Sequence, residues 1–417
     1  MKNALDFATN KWRVNFYVFI SGQFLTRITS DVVSFALVWQ VVKETNSATM
    51  LAMTTLVFLL PLILLTPFVG PLVDRMNKKF LIIVPDIVLA ALAGVLMAVG
   101  YFAKIPLELI FIMLFLRGLA GAFQHPALSS INPTIVPSDF ITKAAGQTSM
   151  VNSISYLIAP ALAALVFDFM PLYAIISLDI LGAVVGTIFT LIVTIPSFKK
   201  DAKQHFIKDA KEGLATLRMH KGIFRMVILI AIYHIFLSPV SAMYPLITTD
   251  YFGGTFAQVG IVETLWAAGT ILGSLVIGAV GAGKDRIRTV AICLIVFGAL
   301  FLPTAFFPPN FDGYIQFSIL NFFAGAVCIG CDVPIEAILQ SKYPPEKLGA
   351  VIGVSGSIMR ITSPIGLLLV GPIVDLIGVQ TILTAIGVII LIYSLFYWLV
   401  PSIRWIDRDV PDYSELT

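Results

Sequence analysis

The amino-acid sequence predicts an all-α membrane protein whose twelve transmembrane helices form two six-helix bundles. Three observations lead there. Hydrophobic residues make up 58% of the chain and charged residues only 12%, against about 25% charged in a soluble domain. Mean hydropathy is +0.94. So much apolar surface cannot be covered in water, which makes the bilayer the solvent and the helix the element that satisfies its own backbone. Twelve stretches approach the ~20 apolar residues a span requires. The basic residues are also distributed very unequally between the loops of the two faces.

In chain order, the polar segment Met1 to Arg13 comes first. The apolar run behind it is too long for a signal peptide and lacks a small-residue cleavage pattern, so it is expected to stay as the first span. The first six spans are expected at Asn15–Val38, Ala48–Val69, Phe80–Phe102, Leu107–Leu128, Ala144–Phe167 and Leu172–Ile195. The second six are expected at Ile223–Ile247, Phe256–Val280, Val290–Phe307, Tyr314–Ala337, Leu348–Val370 and Val379–Val400. Of the 27 Lys and Arg, only Lys43 and Lys104 fall in the loops of one face, while Arg27, Arg117 and Arg360 lie well inside spans and Arg225 falls in the first turn of the seventh. The rest crowd the face of the N-terminus, which the positive-inside rule makes cytoplasmic, and an even span count brings the C-terminus to the same side.

The longest hydrophilic connection, Pro196 to Gly222, holds Lys199, Lys200, Lys203, Lys208, Lys211, Arg218 and Lys221. Phe206, Ile207, Ala210, Leu214 and Leu217 recur between the charges near helical spacing, so part of it is expected to be an amphipathic helix on the membrane surface. The predicted organisation is therefore a bundle over 1–197, a linker over 198–222 and a second bundle over 223–417. The halves echo each other. Ala120-Gly121-Ala122 and Ala324-Gly325-Ala326 are separated by the same distance as Pro160 and Pro364, and Gly182 and Gly387 by one residue more. Three landmarks in order suggest a duplication.

Several function classes are excluded. A net charge of +3 without a basic, aromatic-laced stripe does not describe a nucleic-acid binder. Cys293, Cys328 and Cys331 all lie in apolar runs and are expected to pack, with no disulfide framework. Gly278 to Lys284 fits G-x-x-x-x-G-K, but Asp285 replaces the Ser or Thr that a phosphate-binding loop needs, and a span precedes it instead of a strand. No His, Cys and carboxylate set has metal-ligand spacing. No catalytic constellation, metal or cofactor is expected.

What remains is charge inside the membrane, which is costly and generally faces a cavity or a partner. Gln23, Arg27 and Asp31 lie four apart on one face of span one, and Arg27 and Asp31 can pair directly. Arg117, Gly121 and His125 form a similar stripe in span four. Arg117 has no acid three or four residues away, so its partner must come from another span, with Asp31 a candidate. Span ten carries Asn321, Gly325, Asp332 and Glu336 down one side. Tyr233 and His234 lie in span seven, Glu263 in span eight, Arg360 in span eleven, and Asp179 toward one end of span six. A simple neutralising pair competes with function for Arg27 and Asp31, an interfacial position for Glu336, and satisfied packing for His125 and His234. A carboxyl group in an apolar cavity beside an arginine suits proton coupling, because the neighbouring charge decides whether the proton stays. Asp31, Arg117, Asp332 and Glu336 are the candidates for that work. Gln23, Arg27, His125, Tyr233, His234, Asn321 and Arg360 are candidates for lining a substrate cavity. Gly269 and Gly273 in span eight, and Gly349 and Gly353 in span eleven, have the spacing that lets helices approach closely.

Between spans two and three runs Gly70-Pro71-Leu72-Val73-Asp74-Arg75-Met76-Asn77-Lys78-Lys79. It resembles the signature G-x-x-x-D-R-x-x-[RK]-[RK] of the major facilitator superfamily, with Gly70, Asp74, Arg75, Lys78 and Lys79 in place. Arg117 followed by Gly121, and Pro160 within Ser155-Tyr156-Leu157-Ile158-Ala159-Pro160-Ala161-Leu162-Ala163-Ala164, are similar to that superfamily's drug/proton antiporters. There, however, Ser or Ala stands in place of every glycine of the G-x-x-x-G-P-x-x-G-G pattern. The run Arg117 to Leu128, Ser153 to Tyr156, and Lys211-Glu212-Gly213 resemble the bacterial macrolide-efflux branch. The resemblance implies a monomeric secondary transporter in a bacterial cell membrane, exporting a bulky amphipathic compound in exchange for protons by alternating access. Its partners would be a small-molecule substrate, protons and lipid. It also implies a cytoplasmic gate at Gly70, Asp74, Arg75, Lys78 and Lys79, in which Asp74 caps the start of span eleven and Arg75 meets Asp86 or Asp139. A siderophore or lipid exporter of the same fold, or a non-transporting membrane receptor or scaffold, stays open as an alternative.

Overall fold

A computed structural model describes residues 11–73, 76–129, 131–137, 140–194, 206–281, 283 and 285–409. No strand occurs among them. Among the described residues twelve helices are long and apolar enough to cross a membrane, so the chain is a multi-pass membrane protein. They are α1 (Lys11–Thr45), α2 (Ala48–Val73), α3 (Lys78–Phe102), α4 (Leu107–Ser129), α5 (Ile141–Phe167) and α6 (Leu172–Ile192). The second set is α7 (Lys221–Ala242), α8 (Phe256–Val280), α9 (Arg286–Phe301), α10 (Phe311–Lys342), α11 (Pro345–Ile377) and α12 (Val379–Leu399).

Local chemistry sets several helix ends. Asn77 accepts from the Lys79 amide at 3.0 Å and starts α3, so Lys78 and Lys79 occupy its first turn. Asp285, the residue that breaks the phosphate-loop pattern, accepts from the Arg288 amide at 2.9 Å and starts α9. Both are ordinary N-caps. At the other end of α9 the α-helix stops at Phe301 and tightens into a 3₁₀ turn over Leu302–Phe306. Pro303 at that point has no amide hydrogen to continue the ladder.

The chain divides into two compact units, Met1–Glu44 with Leu56–Gln204, and Thr45–Thr55 with His205–Thr417. In the first, α3 packs along α6 and α4. A side chain at Gly118 of α4 would collide with the Phe58 carbonyl oxygen of α2, and at Gly182 and Gly186 of α6 with Thr29 and Thr26 of α1. One end of this unit is filled by Trp12, Phe16, Phe19, Leu81, Ile82, Ile131 and Ile135.

In the second unit α8 lies on α10, α7 on α11 and α9 on α12. Gly269 and Gly273 abut the backbone of Phe322 and Ala326, and Gly325 abuts that of Trp266, the close approach their spacing predicts. Gly349 and Gly353 differ from expectation: a Cβ there meets nothing within 4 Å. The tight contacts of α11 come instead from Gly366 against the Ile235 carbonyl of α7, and from Gly371 against Ala48, Thr49 and Ala52.

The start of α2 is part of this second unit. Asp375 of α11 accepts from the Ala48 amide at 2.6 Å, the Thr49 amide at 3.0 Å, Ser47 Oγ at 2.9 Å and Thr49 Oγ1 at 2.5 Å. A carboxylate at a helix N-terminus meets unpaired amides and the positive end of the dipole.

The linker does contain a helix, Phe206–Met219. Its described apolar side faces protein: Thr216 and Leu217 are buried, Gly213 abuts the Ala350 carbonyl of α11, and Tyr343 donates to the Leu217 carbonyl at 3.2 Å. Along that side it docks on α11.

Candidate functional site

In the first unit the polar side chains of α1, α4 and α6 converge. Arg27 Nε donates to Asp31 Oδ2 at 2.8 Å, one turn along α1, and both side chains stay partly exposed, at 41% and 25%. Arg117 does not take Asp31 as its partner. It pairs with Asp179 of α6, and the two side chains are only 3% and 5% exposed. Its other terminal nitrogen donates to the Ser30 carbonyl at 2.9 Å, Ser30 Oγ at 2.7 Å and Ser34 Oγ at 3.0 Å. The helix periodicity that links Arg27 to Asp31 also turns Ser30 and Ser34 toward α4. A buried guanidinium needs both its charge and its five hydrogens answered. Asp179 supplies the charge and the serines much of the hydrogen bonding, while Arg117 Nε finds no partner.

A second buried carboxylate in this unit, Asp86 of α3, accepts from Gln124 Nε2 of α4 at 2.6 Å. That Gln124 nitrogen also reaches the Ile82 carbonyl at 3.1 Å. Arg75, to which sequence reasoning offered Asp86, lies outside the described residues. Gln23 of α1 is half-buried, with its amide nitrogen unpartnered. His125 is exposed at the far end of the Arg117 stripe.

In the second unit His234 of α7 approaches Asp332 of α10, Nε2 to Oδ1 at 3.7 Å, with side chains 24% and 40% exposed. His234 Nδ1 lies 2.8 Å from the Ile230 carbonyl oxygen. Tyr233 beside it is fully buried. Its hydroxyl donates to Cys328 Sγ at 3.7 Å and its ring meets Phe297 edge-on. Asn321 is fully buried and donates to the Val262 carbonyl at 2.9 Å, joining α10 to α8. Burial places Tyr233 and Asn321 in the packing between helices. Glu336 and Arg360 are exposed.

The loop after α2 is described in part. Gly70 lies in α2, while Asp74, Arg75 and Asp139 lie outside the described residues. Lys79 Nζ donates to the Leu191 carbonyl at 3.0 Å, at the last turn of α6, where the dipole favours a cation. Among the described residues no three His, Cys, Asp or Glu side chains gather as a metal ion requires, and all three cysteines are free thiols.

Sequence reasoning missed the roles of Ser30, Ser34 and Gln124 and left Asp179 without a partner. The available signal was a lone acid in an apolar run, Asp86 in Leu81-Ile82-Ile83-Val84-Pro85-Asp86 and Asp179 in Ile175-Ile176-Ser177-Leu178-Asp179. Such a residue needs an opposite charge or a donor from a neighbouring helix.

The sequence profile described as Major Facilitator Superfamily matches residues 19–246 and again 226–413. Macrolide efflux protein A of Streptococcus pyogenes is 34% identical over 409 residues, covering 95% of this chain and 98% of that protein. Macrolide efflux protein A of Enterococcus faecalis is 36% identical over 333 residues, 77% of this chain and all of that protein. The solved structure of the nucleoside transporter NupG superposes with a TM-score of 0.73 at 13% identity, over 92% of this chain and 98% of that one.

Proposed function

This chain belongs to the Major Facilitator Superfamily, and we propose that within it the protein exports a bulky amphipathic compound of the macrolide type in exchange for protons. The observation that carries this reading is likeness to a macrolide efflux protein along 95% of the chain. The geometry supports it with ionisable pairs in both units that remain partly exposed, Arg27–Asp31 and His234–Asp332.

In this mechanism of alternating access Asp31, Asp332 and Glu336 exchange protons. Arg117, locked to Asp179, keeps α1, α4 and α6 in register. Gln23, Arg27, His125, His234 and Arg360 line the path of the substrate, and Tyr233 and Asn321 stand behind it as packing. Gly70, Asp74, Arg75, Lys78 and Lys79 form a cytoplasmic gate, with both termini cytoplasmic in a bacterial cell membrane and the protein acting as a monomer.

The test is transport in proteoliposomes under an imposed pH gradient, with macrolides, dyes and siderophores offered in turn. Gradient-driven macrolide uptake is the expected result. Uptake of siderophores alone would favour the siderophore-exporter alternative. Movement of none of them, with or without the gradient, would overturn the export reading.

A further inference from the structure

Taking proton exchange as proposed above, the geometry points to His234 and Asp332 as a dyad that holds one transferable proton between imidazole and carboxylate. His234 Nδ1 lies 2.8 Å from the carbonyl oxygen of Ile230, one turn earlier in α7. A carbonyl oxygen only accepts, so Nδ1 must carry the ring hydrogen. In the neutral ring the lone pair then rests on Nε2, and Nε2 is the atom that faces Asp332 Oδ1 at 3.7 Å. A lone pair opposite a carboxylate is repulsive. One proton, on Nε2 or on the carboxyl oxygen, turns that repulsion into attraction.

The surroundings sharpen this. Glu336 stands one turn further along α10 and brings a second carboxylate. The buried thiols of Cys328 and Cys331 lie on the preceding turn of α10, and Tyr233 of α7 donates to Cys328 Sγ at 3.7 Å. None of these groups carries a positive charge. Arg360, on the α11 helix that packs along α7, is exposed. Arg286 of α9 reaches α10 further along, at the Ala337 carbonyl and Ser341 Oγ, and the imidazolium is the cation that stands against Asp332 itself.

Access separates this pair from the one in the first unit. Asp332 and His234 keep 40% and 24% of their side-chain surface open, whereas Arg117 and Asp179 keep 3% and 5%, and a guanidinium does not give up its proton. On release the Nε2–H bond breaks, its electron pair stays on the ring, and the proton passes to water. Loading reverses each step.

Two measurements on the full chain in lipid test the dyad. The first is nitrogen NMR of ¹⁵N-histidine-labelled protein in nanodiscs. The chain has 4 His, so His234 is assigned by the signal lost in His234→Asn. The expected spectrum has Nδ1 protonated throughout and Nε2 titrating, with Asp332→Asn changing the pH at which it does so. A neutral ring protonated on Nε2, or a titration unmoved by Asp332→Asn, would overturn the dyad.

The second measurement is radiolabelled erythromycin in proteoliposomes. His234→Asn is expected to lose accumulation driven by the pH gradient, with counterflow exchange followed in both proteins. Accumulation equal to that of the unmodified protein would overturn its coupling role. If the unmodified protein moves no erythromycin in either mode, the substrate reading fails, and the NMR titration still decides the dyad.

Discussion

Arg117 shows how one side chain constrains its neighbours. Its guanidinium is almost wholly enclosed and answered by Asp179, Ser30 and Ser34. Removing one partner of a buried pair strands the other charge, which costs about 3–5 kcal/mol. Asp179→Asn should therefore lower the unfolding free energy in detergent by that amount. Asp31→Asn acts on a pair that is 41% and 25% exposed, where an ion pair is worth about 0–1 kcal/mol, so it should leave stability nearly unchanged. Chemical denaturation of the two variants side by side checks the contrast. The Arg27–Asp31 contact was legible in the sequence, because four residues along a helix is a fixed distance. The choice of Asp179 by Arg117 was not, because it depends on which faces α1, α4 and α6 turn to one another.

At the level of elements, Asp375 binds the first turn of α2. It accepts from two backbone amides and two hydroxyls, and losing an N-cap costs about 0.5–2 kcal/mol. Asp375→Ala should accelerate hydrogen exchange at the amides of residues 48–51 and leave those of α6 unaffected. Equal protection in both proteins would remove Asp375 from this role. The five residues Gly371-Pro372-Ile373-Val374-Asp375, near the end of α11, repeat with one substitution the sequence Gly70-Pro71-Leu72-Val73-Asp74. Helix existence was readable for all twelve spans from hydropathy and length. Which glycines mark close approach was less so: Gly269 and Gly273 abut backbone, while Gly349 and Gly353, with the same spacing, meet nothing within 4 Å.

For the whole molecule, the charged loop after α2 gives the sharpest test. If it gates transport, Asp74→Asn should abolish macrolide uptake in proteoliposomes while the protein still inserts and purifies in normal yield; full uptake would refute the gate. The residue pattern alone was enough to establish a twelve-span, all-α chain and its likeness to the macrolide-efflux branch. Hydropathy, the positive-inside bias and the Gly70 to Lys79 signature are all written along the chain and do not depend on how helices meet. Only the tertiary structure decided the partners: Asp179 for Arg117, Gln124 for Asp86, His234 for Asp332, and α11 for the linker helix. Each of those choices joins residues far apart in sequence. They follow from the rotation and register of packed helices, and a linear pattern of charges does not encode either one locally.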